Sequence, residues 1–363
     1  MTMPPVVWYG IQGEGRGHAT RSQTLVRAMR DHGLAVRIFT GGDALDFFAG
    51  DPGLVEIPLL RFKHWNGRIS ALRTLLANLP LAPQLCGMVG SVGRLIDSVD
   101  PMHPPAIVIS DFEPFLARWA VRHSIPWMAI DHQHALTDTV LPAGALRTEW
   151  EGRILASMVE WLVPAPKRVI SSFHHFPVRP TNDSVFVGCF LRNEILRATP
   201  SDRGHACAYL KDESMLLRVA HLAEKLPDLQ WEVWSEGQAA MPPNATLRKP
   251  HPTDFIRSLS SCRWLLTTAG NQLLGEALSL GKPILAIPTP GQTEQRFNAM
   301  ALADSECGDW CSEAELSQER LEGFLCGIAR FSDSCVRRNR DPIQLDGTSR
   351  ALEVVLGELA SAR

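Results

Sequence analysis

The 363-residue chain balances 36 Lys and Arg against 39 Asp and Glu, a net charge of -3, with 45% hydrophobic and 21% charged residues. That length and apolar content suffice for two ordinary domains, each with its own core, and the balanced charge gives no general attraction for nucleic acid. With no run of about 18 apolar residues and no basic stretch leading into an apolar core at the amino terminus, neither membrane spanning nor export is expected.

The first forty residues read as a strand at Val6 to Tyr9, a glycine-rich turn, a helix from about His18 to Asp31 and a strand at Ala35 to Thr40, a βαβ opening. Apolar runs at Ile107 to Ser110 and Trp127 to Ile130 flank a helical stretch, Pro114 to His123. This alternation predicts a parallel sheet covered by helices. Between them, Ile57 to Ile96 contains Arg61, Lys63, Arg68, Arg73 and Arg94, with Phe62 and Trp65, and no acidic residue; it is either a solvated helix face or a surface that meets anionic lipid. Residues Phe176 to Asp183 are rich in proline and turn formers, as an exposed connection between two compact bodies would be.

A second α/β series is expected from Val185, with strands at Trp231 to Trp234, Thr246 to Leu247, Trp264 to Thr267 and Pro283 to Pro288. Ser349 to Ala362 spaces Leu352, Val355, Leu356 and Leu359 as one apolar helix face, so that helix needs a surface to pack on. The eight cysteines lack the paired spacing of a disulfide or zinc framework, and Cys307 and Cys311, the one close pair, have no second pair or histidine nearby. Ordinary thiols in a reducing cytoplasm are expected.

Two loops carry the chemistry. Gly13-Glu14-Gly15-Arg16-Gly17-His18 lies between a strand and a helix, where glycines let the backbone approach a ligand. His18 takes the place of the third glycine of a dinucleotide fingerprint, and no acid closes the second strand, which argues against a dehydrogenase. At the carboxyl end of the first strand, His18 is either a general base or a loop-ordering histidine. Asp111, Glu113, His132 and His134 also follow strand ends and are candidates for the same side of the sheet, with capping and turn roles as the alternative.

The second loop, Thr267-Thr-Ala-Gly-Asn-Gln-Leu-Leu-Gly-Glu276, is a strand, a turn and a helix start. Free N–H groups from about Gly270 to Leu273 and the helix dipole favour a diphosphate without a metal. Glu276 could accept both hydroxyls of a ribose or could be a solvated glutamate. Glu294 and Gln295, at the start of the next helix, could hold sugar hydroxyls, and Asn298 shares the Glu294 face and orders the loop or meets ligand. His251 to Asp254 is a candidate base-contacting loop.

These motifs resemble the nucleotide-sugar glycosyltransferases with two Rossmann-like domains, the GT-B type, and especially the MurG-like and monogalactosyldiacylglycerol-synthase-like family 28 group. The resemblance runs in order along the whole chain and is more specific from Gly270 to Gln295. It implies an α/β fold of two Rossmann-like domains facing across a cleft with a carboxyl-terminal helix. Its domains are an acceptor-side domain over residues 1–178, a linker at 179–184, a donor domain over 185–345 and the helix at 346–363. The implied donor-binding residues are Gly15, Gly17, Thr268, Gly270, Asn271, Gln272, Glu276, Glu294 and Gln295. His18 is then the leading base, with Asp111 and Glu113 as other catalytic candidates and His132 and His134 on the acceptor side.

The implied activity is hexosyl transfer from a nucleoside-diphosphate-sugar, UDP-sugars by resemblance, to a hydroxyl acceptor that a lipid could carry at the inner face of the membrane. Thr268 stands where retaining relatives place a second glutamate, so inversion is expected. No Asp-x-Asp occurs, so no metal and no cofactor is expected. A sugar-nucleotide epimerase of the same fold and an idle sugar-nucleotide-binding module are the alternatives.

Overall fold

The computed structural model describes residues 4–361 apart from 62–63, 66–67, 70, 86–89, 102, 143, 147–148, 180–183 and 342–344. Its principal elements are β1 (Val6–Ile11), α1 (Arg16–Asp31), β2 (Ala35–Thr40), β3 (Leu54–Glu56), β4 (Ile107–Asp111), α2 (Pro114–Arg122), β5 (Trp127–Asp131), β6 (Arg168–Ser171) and β7 (Ser184–Val187). These strands form one sheet in the order β3-β2-β1-β4-β5-β6-β7, every pairing parallel. Parallel neighbours need crossovers, and helices such as α1 between β1 and β2 and α2 between β4 and β5 supply them.

Alternation along β1 divides the core of this first unit. Val7, Tyr9 and Ile11 face a cluster with Leu25, Val26 and Met29 of α1, whereas Trp8 points to the other face, among Leu116, Ala117, Trp119 and Ala120 of α2. Successive side chains of a strand leave opposite faces, so both faces of this sheet are covered. Gly15, at φ 84°, enters α1 as its N-cap, and Gly33, at φ 77°, ends the turn after it; L side chains resist both conformations.

The second unit contains β8 (Ala206–Tyr209), β9 (Trp231–Trp234), β10 (Ala245–Arg248), α3 (Pro252–Ser261), β11 (Trp264–Thr267), α4 (Asn271–Ser279), β12 (Ile284–Ala286), α5 (Thr293–Asp304), β13 (Gly308–Trp310) and α6 (Ile328–Arg338). Its sheet runs β10-β9-β8-β11-β12-β13, again parallel throughout. In both sheets the strand order reverses beside the first strand, and open α/β sheets hold ligands outside the carboxyl ends of the strands at that reversal.

By internal contacts the chain divides into Met1–Leu141, Leu146–Phe190 and Asp346–Arg363 as one unit and Pro142–Ala145 with Leu191–Leu345 as the other. The final helix, α7 (Thr348–Ser361), therefore returns to the first unit. It places Ala351, Leu352, Val355 and Leu359 in the cluster shared with α1, and burying each leucine or valine contributes about 1.5–3 kcal/mol. The run at Val185 differs from expectation. It lies in β7 and pairs with β6, so it closes the first sheet and β8 opens the second. Of the connection expected at 179–184, residues 180–183 lie outside the described residues, as do Phe62 and Lys63 of the basic segment.

Candidate functional site

In the first unit the chemistry gathers where β1, β4 and β5 end. His18, Arg21 and Ser22 are spaced i, i+3 and i+4 along α1, so they share one face, and all three meet Asp111, the last residue of β4. His18 Nδ1 lies 2.8 Å from Asp111 Oδ1, Arg21 Nε donates to Oδ2 at 2.7 Å, Ser22 Oγ donates to Oδ2 at 2.9 Å, and Arg21 Nη2 donates to Oδ1. Asp111 and Arg21 are buried, whereas the His18 side chain keeps 16% of its surface exposed. Burial alone would raise the Asp111 carboxyl, but Arg21 and then His18 outweigh it and hold it well below the usual carboxylate range. The same anion, added to burial, pushes the Tyr9 phenol far above its ordinary value.

Arg21 Nη2 also lies 2.9 Å from His18 Nδ1; in the tautomer whose Nδ1–H donates to the ionised Asp111, the lone pair of His18 is on Nε2. Gln133 agrees with that tautomer. Its Oε1 accepts from Arg21 Nη2 at 3.4 Å, which turns its amide nitrogen to within 3.4 Å of His18 Nε2. In that tautomer the site presents an oriented imidazole nitrogen.

Neighbouring candidates do other work. Glu113 is the N-cap of α2, its two oxygens accepting from Phe115 N at 2.8 Å and Leu116 N at 2.7 Å. Burial pushes its carboxyl up to about 7 against those two N–H groups. The buried His134 has an acceptor at each ring nitrogen, Asp131 Oδ2 2.8 Å from Nδ1 and the Val163 carbonyl 3.0 Å from Nε2. Two acceptors call for two N–H groups, hence an imidazolium. Burial works against that charge, yet Asp131 raises its pKa overall. His132 is buried with Nδ1 3.0 Å from the Ser171 carbonyl, tying β5 to β6. Gly17 is exposed, and the Gly15 N–H donates to Asp43 Oδ2 at 3.2 Å.

In the second unit, β11 leads through Thr268 and Ala269 to Gly270, the N-cap of α4, which makes no side-chain cap. A Cβ on Gly270 would meet no atom within 4 Å, so the space before the helix is open to a ligand that accepts from first-turn N–H groups. The loop is braced by Asn298 of α5, whose Nδ2 donates to the Ala269 carbonyl at 3.0 Å.

Glu276, 2% exposed, is gripped by the Arg192 fork, Nε to Oε1 at 2.8 Å and Nη2 to Oε2 at 2.5 Å, and receives Gln272 Nε2 at 3.0 Å. Burial opposes the Arg192 charge, but Glu276 outweighs it and raises that guanidinium. Gln295 accepts from Thr289 N at 2.8 Å and donates to Gln292 Oε1 at 2.5 Å, so it shapes the loop before α5. Glu294 opens that helix, half-buried, while Asn271 and Gln272 are buried at the start of α4. His251 caps α3 from an exposed position.

The sequence-derived candidates thus fall into two clusters, one in each unit. His18 and Asp111 are brought together; Glu113, His132 and His134 lie among buried supports. Sequence reasoning missed Arg21, Ser22 and Gln133 around Asp111, and Arg192 on Glu276. For Arg21 and Ser22 a signal existed in the i+3 and i+4 spacing from His18. Arg192, one residue before a short helix, gave none. Among the described residues no group of three His, Cys, Asp or Glu side chains could hold a metal ion, and no helix is long and apolar enough to cross a membrane.

Residues 6–329 match the model of glycosyl transferase family 1. No curated protein matches the chain in sequence. In structure it is similar to the calicheamicin glycosyltransferase CalG4, at TM-score 0.69 and 16% identity over 99% of either chain. LpCGTa in complex with UDP gives 0.67 and 16% over 98% of this chain and 99% of that one. MurG of Acinetobacter baumannii gives 0.64 and 15% over 98% of this chain and 100% of its own. At such identities the likeness carries the fold, GT-B with two Rossmann-like domains.

Proposed function

Because the chain belongs to glycosyl transferase family 1, we propose that it moves a hexosyl group from a nucleoside-diphosphate-sugar to a hydroxyl, with inversion and without a metal. The observation that carries this reading is the open start of α4 after Gly270, followed by the braced carboxylate of Glu276. First-turn N–H groups at Asn271, Gln272 and Leu273 donate to the diphosphate oxygens, aided by the helix dipole. Two carboxylate oxygens offer about four acceptor sites, and Arg192 and Gln272 occupy three, so a ribose hydroxyl finds the remaining one. Thr268, Glu294 and Gln295 border the sugar, with Gln295 acting through the loop it holds. UDP is the favoured nucleotide, in keeping with the nucleotide bound by LpCGTa.

On the acceptor side, the hydroxyl oxygen attacks the anomeric carbon while the bond from that carbon to the diphosphate oxygen breaks. The electron pair leaves with the nucleoside diphosphate, and the hydroxyl proton passes to His18 Nε2. Asp111 receives the Nδ1–H bond and stabilises the imidazolium that results. Glu113 is assigned to capping α2 rather than to this step, and Gly15 and Gly17 to shaping the loop before His18. Metal independence is supported by the lack of Asp-x-Asp and by an amide-rich helix start able to take up the charge that builds on the leaving group.

A cytoplasmic protein working at the inner face of the membrane on a lipid-linked acceptor is also supported. The Ile57 to Ile96 segment has no acid, and Leu76, Leu79 and Leu95 within it are exposed. The testing experiment incubates the protein with a panel of UDP- and TDP-sugars, with and without hydroxyl acceptors, in EDTA. Acceptor-dependent release of nucleoside diphosphate in EDTA is expected. An isomerised donor without acceptor would replace the reading with epimerisation, and nucleotide binding without turnover would leave a binding module.

A further inference from the structure

Lys282, just after α4, is a buried ammonium without a carboxylate of its own. It is 5% exposed, and its Nζ donates to two backbone carbonyls, Ser201 at 2.5 Å and Cys262 at 2.8 Å. Asp202, whose charge reaches it, instead hydrogen-bonds Arg263 at 3.1 Å. An ammonium has three donors; two are taken by neutral oxygens, and among the described residues no carboxylate hydrogen-bonds it. Buried charges in that condition are expensive, and burial pulls the Lys282 pKa down.

Lys282 lines a cavity of about 650 Å³, and Ser201 and Cys262, whose carbonyls hold the ammonium, line it too. Leu280, Ile328 and Val336 supply apolar wall, and the ion-paired Asp202 and Arg263 line the cavity as well. Such a volume lies in the range of small-molecule sites, which are mostly apolar with a few fixed polar groups. The cavity sits at the carboxyl end of α4, the far end from the first-turn amides, so it is distinct from the proposed donor pocket.

We propose that this cavity binds a small amphiphilic monoanion, a carboxylate on an aliphatic body. The carboxylate takes the third N–H of Lys282 and neutralises its charge; the chain lies against Leu280, Ile328 and Val336. Lys282 and Arg263 bring two positive charges to the lining and Asp202 one negative, so one further negative charge balances them, and a dianion would leave a charge of its own in the cavity.

Calorimetric titration of the full chain with octanoate, without nucleotide, tests the proposal. Wild type is expected to bind saturably, with 1-octanol at least about tenfold weaker, because a charge-assisted hydrogen bond is lost. Lys282→Met is expected to weaken octanoate to the level of the alcohol. Should that variant fail to fold, Ser332→Phe, which puts a ring into the cavity from another lining residue and leaves Lys282 in place, is expected to abolish binding. No saturable octanoate binding by wild type, equal binding of acid and alcohol, or full binding by either folded variant would overturn the proposal.

Discussion

Replacing His18 by glutamine separates the proposed base from the architecture around it. Asp111 loses the contact to His18 Nδ1 but keeps Arg21 Nε at 2.7 Å and Ser22 Oγ at 2.9 Å, so its buried charge stays paired. The loss of one hydrogen bond at a partly exposed side chain then lowers stability by about 0.5–1.5 kcal/mol. The catalytic effect is much larger. A positioned general base contributes about 100- to 10,000-fold, equivalent to about 2.7–5.4 kcal/mol of barrier. Because the proposed UDP contacts are the amides of Asn271 to Leu273 and the Glu276 carboxylate and do not include His18, binding of UDP is expected to be unchanged. Single-turnover rates with saturating donor, together with titration calorimetry of UDP, read the two quantities apart. A rate within about threefold of wild type would refute the assignment, since no base in that step is worth so little.

Three further outcomes are expected. Arg192→Met leaves Glu276 buried without its cation, so urea unfolding should show about 3–5 kcal/mol of lost stability and calorimetry a UDP affinity reduced about tenfold or more. In the core of the first unit, His134 titrates above its ordinary 6.5 because Asp131 outweighs burial. Its contribution is therefore fully present below pH 6.5 and is lost as pH rises through the raised value. Thermal unfolding followed across that range should show the decline in wild type and not in His134→Leu, which itself loses about 3–5 kcal/mol by stranding Asp131. Sedimentation with anionic liposomes should pull down wild type and spare a triple alanine variant at Arg61, Lys63 and Arg68; equal behaviour of the two would remove the membrane contact.

Much of this architecture was legible because each element carries its own periodicity. The opening strand, helix and strand, and the strand, turn and helix around Gly270, are local patterns that the long-range packing reinforces. What stayed hidden was mostly partnership. The four-residue β7 is equally apolar in either sheet, so its sequence says that it is a strand and not which sheet receives it. The spacing of Leu352, Val355 and Leu359 shows an apolar face but not that the face lies beside α1. Arg192 is one arginine at the start of a short helix, and only the fold brings it to Glu276, 84 residues away. Glu113 was legible in both its roles, since an acid directly before Pro114 has the form of an N-cap and Pro at N1, and the two hydrogen bonds it accepts decide for the cap. Asp111 and His18, 93 residues apart, could be placed at the same edge by topology, whereas their contact through one carboxylate with Arg21 is a property of side-chain packing.

The crystal structure of the protein with UDP tests the account at its centre. The diphosphate is expected within hydrogen-bond distance of backbone N–H groups of Asn271 to Leu273, with a ribose hydroxyl on the Glu276 carboxylate and Arg192 still beside it. UDP bound away from the start of α4, or Glu276 turned from the ribose with its Arg192 pair closed over it, would contradict the proposed donor site.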